Sequence, residues 1–263
     1  MASSSRKRPA RSQATPLAEL ATPPPRRRFA PAVRRWLKRL AIAALVVFVV
    51  LPVLWFAVFR FVPVPVTSFM IRGTVAGWLD DAPYRLRHDW VPLEEISPRL
   101  QRAVIASEDQ KFPEHYGLDF EAMSKALDHN KRGRKVRGAS TISQQTVKNI
   151  FLWPGRSYVR KGLEAWLTVL METLWSKERI LEVYLNSAEF GRGVYGAEAA
   201  AQQYFRKPAS KLSAREAALL AAVLPAPRKR NPAKPSAYVS AHAGWIQSQM
   251  DQLGPVERKL SGD

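Results

Sequence analysis

The chain has 263 residues, 46% hydrophobic and 24% charged, enough for one sizeable globular domain with extensions. Lys and Arg number 41 against 22 Asp and Glu, a formal net charge of +19, which favours polyanions: nucleic acid, anionic lipid or a phosphorylated substrate. A cysteine count of zero excludes disulfides, zinc–thiolate sites and a thiol nucleophile, and the four scattered histidines (His88, His115, His129, His242) form no pair at helical metal-binding spacing.

Residues 1–39 are rich in Arg, Pro, Ser and Ala and cannot bury a core, so they are predicted to be a disordered basic tail. The tail holds eleven Lys/Arg against one acid, Glu19. Residues 40–60 contain the uncharged run Ala41–Phe59, close to the roughly 20 apolar residues that a transmembrane helix needs, with Pro52 as a kink. The basic excess before this run predicts an N-terminus inside and the bulk of the chain outside, in a single-pass arrangement. It also turns the tail toward membrane lipid rather than nucleic acid. Residues 61–95, with Pro63, Pro65, Pro83 and Pro92, read as a juxtamembrane connector with short extended pieces. Its apolar residues Phe61, Val62, Val66, Phe69 and Met70 are candidates to dip into the bilayer.

From residue 96 to residue 253 the pattern is helical, and 254–263 read as a short tail. Ile96, Leu100, Ala103 and Val104 share a face; Asp119 caps a helix carrying Phe120, Met123 and Leu127. Ser157 opens a long helix to about Trp175, and Ile180, Leu181, Tyr184 and Leu185 space another over 177–186. Ser213 and Glu216 form a capping box, and a last helix runs from Ser236 to Gly254. No alternating strand pairs stand out beyond the connector. The expectation is one mainly α domain outside a membrane.

Three stretches carry candidate chemistry. In Glu108-Asp109-Gln-Lys-Phe112-Pro-Glu-His115, two adjacent acids follow an apolar helix end. A carboxyl at such a rim can have its pKa raised for acid–base work, and a solvated acidic pair fits the same spacing. In Gly138-Ala-Ser140-Thr141-Ile-Ser-Gln-Gln145-Thr-Val-Lys148-Asn149, a capped helix start offers N–H groups to an anion, with hydroxyl, amide (Gln144, Gln145) and ammonium on one face. An ordinary capped helix with a polar face fits as well. Upstream, the basic run Lys131–Arg137 could draw in a pyrophosphate. In Arg160-Lys161-Gly-Leu-Glu164, both cations lie within one helical turn of the acid, either as a plain ion pair or as a basic pair held by a second acid.

These stretches occur in the order E-D-x-x-F-x-x-H-x-G, G-x-S-T-I-x-Q-Q-x-x-K-N and R-K-x-x-E. They are followed by Lys177-Glu-Arg-Ile-Leu-Glu-Val-Tyr184-Leu-Asn186 and Gly191-x-Gly193-x-x-Gly196. The ordered set, over about residues 60–253, resembles the five-motif pattern of the peptidoglycan glycosyltransferases, in their monofunctional biosynthetic branch. Ala139 departs from it, standing where many members have a second glycine. The resemblance implies a mainly α, lysozyme-like domain that joins lipid II units on the outer face of a bacterial cytoplasmic (inner) membrane, facing the periplasm of a Gram-negative envelope.

By the same resemblance, Glu108 is the base that deprotonates the attacking 4-hydroxyl, and Asp109, Phe112 and His115 support it. Ser140, Thr141, Gln145, Lys148 and Asn149 line the donor site. Lys148 and Arg160 are the candidates to meet the leaving pyrophosphate, Lys161 is a further substrate-binding residue, and Glu164 is the second acid, which positions the basic groups or a divalent ion. No cofactor is required by the pattern; two carboxylates near a pyrophosphate permit a divalent cation, Mg or Mn, without requiring one. The implied partners are lipid II, the growing lipid-linked strand and the membrane, together with other cell-wall synthase or division proteins, and not nucleic acid. The only Ser-x-x-Lys is Ser4 to Lys7 and there is no Lys-Thr-Gly, so no transpeptidase activity is expected. A lysozyme-like glycan hydrolase and a non-catalytic membrane-anchored adaptor are the rival readings.

Overall fold

No charged side chain interrupts residues 40–59, and the stretch is helical throughout. The computed structural model describes residues 31–79, 84–133, 138–155, 157–256 and 260, so most of the basic tail and basic-run residues 134–137 lie outside the described residues. The chain divides into two compact units, 1–46 and 47–263. The first contains helix α1 (Pro31–Leu45). Helical structure continues through a π-turn, Val46–Val50, into α2 (Leu51–Phe59). The candidate membrane span, Val33–Phe59, has 27 residues. At 1.5 Å per residue it is about 40 Å long, more than the roughly 30 Å of a hydrocarbon core.

The second unit continues with α3 (Ser68–Trp78), β1 (Arg87–His88), α4 (Pro98–Glu108), α5 (Phe120–Lys131) and α6 (Ile142–Phe151). After these come α7 (Tyr158–Leu174), α8 (Lys177–Ser187), β2 (Glu189–Gly191), β3 (Val194–Tyr195), α9 (Ala197–Phe205), α10 (Ala214–Val223) and α11 (Ala237–Leu253). The protein is mainly helical, as expected. Ser97, Asp119, Ser157, Ser176, Ser213 and Ser236 each cap a helix through a side-chain oxygen. The core is built where α10 packs on α4 and α11, and α6 on α7 and α8. Residues 217–223 of α10 are all buried, and their alanines let neighbouring helices approach closely.

Two expectations change. The connector contains a full helix, α3, capped by Thr67, and Met70 is buried in it at 1% exposure rather than facing lipid. Phe69 is half-buried and lines an open pocket with Lys148 and Tyr184. The exposed apolar set is instead Phe61, Val62, Val66, Ile71, Val75, Trp78 and Leu79. A three-stranded sheet of order β1-β3-β2 also lies partly beyond the connector, with β1 parallel and β2 antiparallel to β3. The glycine run 191–196 builds this sheet. Gly196 holds φ +88 as it leaves β3 for α9, and a Cβ there would meet the Asn186 carbonyl oxygen at 2.9 Å.

Pro52 has no N–H and leaves the carbonyl of Phe48, four residues back, without its helical donor. Trp166 Nε1 of α7 donates to that oxygen at 2.9 Å. Near the end of α2, Trp175 Nε1 donates to the Phe56 carbonyl at 2.7 Å, and Arg179 donates to the carbonyls of Phe59 and Val62. Trp55 packs on Phe59 and Phe151 with centroids 4.4 and 4.5 Å away. The α2 end of the apolar span is thus held by hydrogen bonds and aromatic packing to α6, α7 and α8.

Candidate active site

α4 ends at Glu108 because Asp109 leaves helical geometry, at φ −163° and ψ 78°. The two acids consequently diverge. The Asp109 carboxylate is buried and accepts from the Ile142 N–H at 2.9 Å, at the positive end of α6. It also accepts from His115 Nε2 at 2.9 and 3.0 Å. The Gly117 N–H donates to His115 Nδ1 at 3.1 Å, which leaves the imidazole proton on Nε2, facing Asp109. Phe112 is fully buried, and Lys177 Nζ lies 4.7 Å from its ring centroid while bonding the His115 carbonyl and Glu172. Asp109, Phe112 and His115 therefore lock the turn in shape and join it to α6.

Glu108 points the other way, into a groove of about 700 Å³ that Ser140, Thr141 and Gln145 also line. Gln145 Nε2 donates to Glu108 Oε2 at 2.7 Å, and the Tyr184 hydroxyl donates to Gln145 Oε1 at 3.2 Å. Burial pushes the Glu108 carboxyl up. Gln145 and Lys148 pull it back down, and the neighbouring Asp109 charge adds to the rise. A second cavity, of about 470 Å³, contains Phe69, Lys148, Asn149 and Tyr184 and meets the first at Gln145 and Pro225.

Burial pulls the Lys148 ammonium down; Glu164 and Glu108 oppose this, and Arg160 and Lys161 reinforce it. Lys148 thus feels both carboxylates of the site. Glu164 is 2% exposed and holds Arg160 Nη1 at 2.8 Å and Lys161 Nζ. Lys161 reaches Ser140 Oγ at 3.3 Å. Among the described residues, the buried Nε of Arg160 meets no acceptor. Three cations against the two carboxylates Glu164 and Glu108 leave a local excess of positive charge suited to a multiply charged anion.

The structure separates residues that the sequence grouped. Thr141 and Gln144 spend their side chains on a capping box, and Thr141 Oγ1 also donates to the Gly117 carbonyl at 2.6 Å. Gln144 is therefore absent from the polar face; Ser140, Gln145, Lys148 and Asn149 carry it. Tyr184 read as a core residue of α8, and its hold on Gln145 gave no spacing signal. Among the described residues, no group of three or more His, Asp or Glu is placed to hold a metal ion.

A family model described as Transglycosylase matches residues 73–251. A relative named biosynthetic peptidoglycan transglycosylase, from Pseudomonas syringae pv. syringae (strain B728a), is 57% identical over 217 residues, 80% of this chain and 92% of the relative. A protein of the same name from Pseudomonas fluorescens (strain Pf-5) is 55% identical over 223 residues, covering 85% and 93%. One from Pseudomonas entomophila (strain L48) is 57% identical over 209 residues, covering 76% and 89%.

Proposed function

The chain belongs to the transglycosylase family, and from that membership we propose that its groove polymerises peptidoglycan glycan strands from lipid-linked units. The Glu108 carboxylate takes the proton from the sugar 4-hydroxyl of lipid II as that oxygen bonds to the anomeric carbon of the growing strand. The bond from that carbon to the undecaprenyl pyrophosphate oxygen breaks, its electron pair leaves with the pyrophosphate, and the configuration inverts. Lys148, Arg160 and Lys161 meet the departing charge, and Glu164 positions the last two. A pyrophosphate leaves readily, so orientation and charge stabilisation supply most of the acceleration.

The observation that carries this reading is a carboxyl pushed up by burial sharing one site with a cluster of three cations. The carboxyl alone would serve a hydrolase equally well; the cations have no use on a neutral glycan. The deciding experiment supplies labelled lipid II in liposomes to the native chain and to Glu108→Gln. Native protein makes long glycan and the folded variant makes none. Equal polymer from both, or shortening of preformed glycan, overturns the assignment.

The same reading places residues 1–39 in the cytoplasm, 40–60 across the inner membrane, 61–95 beside it and the domain 96–253 in the periplasm. The basic tail sets topology and touches anionic lipid, and cell-wall synthase or division proteins are natural neighbours. Peptide cross-linking is not part of the activity, and a fluorescent penicillin leaves the protein unlabelled.

A further inference from the structure

The outer face of α11 carries an aromatic column that the core does not use. Its inner face, Val239, Ala243, Ile246 and Met250, is buried. On the outer face the Arg230 guanidinium lies 5.0 Å from the Tyr238 ring centroid. Tyr238 stacks on His242 at 6.0 Å and 23°, and His242 on Trp245 at 5.5 Å and 8°. Trp245 ends the column, is 47% exposed, and lines the same groove as Glu108. One helical turn on, about 6 Å along the axis, Gln249 accepts a hydrogen bond from Gln110, the residue after Asp109, at 2.9 Å. Trp245 therefore stands one turn from the acid turn, with one face of its indole covered by imidazole.

We propose that Trp245 is a stacking platform for a pyranose ring of the glycan, with the column behind it fixing the tilt of the indole. A pyranose ring presents a face of C–H groups that packs on an aromatic face, while its hydroxyls point outward to polar partners. Gln110, Gln249 and Lys111 line this part of the groove and supply such partners. Because the stack already fixes the indole, little side-chain freedom is lost on binding. The aromatic residue recognises a sugar face and leaves the reacting atoms to Glu108 and the cations, so its contribution falls on affinity.

This inference rests on the glycan-polymerising reading, and its test has two arms. In saturation-transfer NMR on the full chain in detergent, the probe is a lipid-free tetrasaccharide of alternating N-acetylated sugars. Saturation reaches its axial ring protons with native protein and with Trp245→Phe, and is lost with Trp245→Ala. In polymerisation, Trp245→Ala raises KM about three- to tenfold, the loss appears in KM rather than kcat, and Trp245→Phe recovers most of it. Native transfer together with native KM in Trp245→Ala overturns the platform and leaves the polymerase reading intact. A native chain that makes no polymer but still transfers saturation through Trp245 keeps the platform and removes the polymerase reading.

Discussion

Tyr184 decides which end of the Gln145 amide Glu108 meets. Its hydroxyl occupies Gln145 Oε1, so the amide N–H faces the carboxylate and favours the charged form. Tyr184→Phe frees the amide to turn its oxygen toward Glu108, which raises the carboxyl further. With Glu108 as the proposed base, activity requires it deprotonated, so the acid limb of kcat/KM against pH should move to higher pH in Tyr184→Phe, and an unmoved limb removes the relay. In the proposed role at the leaving pyrophosphate Lys148 is charged, and burial draws its pKa down, so the alkaline limb should fall below the ordinary lysine range. Lys148→Arg keeps the charge at high pH and should push that limb upward. A stability consequence follows from Glu108 itself. A carboxyl with a raised folded pKa disfavours the fold where it is ionised and costs nothing below its unfolded pKa. Glu108→Gln should therefore raise the melting temperature near neutral pH by about 2 °C, with the gain vanishing as pH falls below the ordinary carboxyl range.

The junction of the acid turn with α6 makes the site rigid. Gly117, at φ +80, donates its N–H to His115 and accepts from the Thr141 hydroxyl, so one residue fixes an imidazole and holds the N-cap residue of α6. A Cβ there would stand 2.6 Å from Thr168 Cγ2. Gly117→Ala should destabilise by about 1–3 kcal/mol, readable in thermal unfolding, with a loss of activity larger than Ala139→Gly would cause. Much of this was legible in the sequence. The caps at Asp119, Ser157, Ser213 and Ser236 announce their helices through side chains that bond the first turn locally. Glu108, Lys148, Arg160 and Glu164 were singled out by the motif resemblance; their spacing alone fits a solvated acidic pair, a capped helix and a plain ion pair equally well. The sheet was not legible, because strands of two and three residues give no alternation. Helix α3 was hidden by flanking prolines, and Met70 was misplaced with it. Gln144 looked like a ligand group because a capping box and an anion site use the same residue types; Thr141 serves the capping box and still lines the groove.

At the scale of the whole molecule, helix α3 of the second unit presents an exposed apolar stripe. Ile71, Val75 and Trp78 lie at i, i+4 and i+7 on α3 and are 55%, 45% and 79% exposed. Such a stripe suits the interface of a bilayer. The protein has no cysteine, so Trp78→Cys can carry a single polarity-sensitive dye. Its emission should shift to the blue on anionic vesicles, while a dye at Ser248, exposed on α11, should not respond. Equal behaviour at the two positions removes the interfacial role of α3. The hydrogen bonds from Trp166, Trp175 and Arg179 to the carbonyls of Phe48, Phe56, Phe59 and Val62 have a mechanical consequence. They key the last turns of the apolar helix into the body that carries Glu108. With the proposed membrane placement, a tilt of those turns is passed to the groove through these bonds, and the height and heading of its opening follow the anchor.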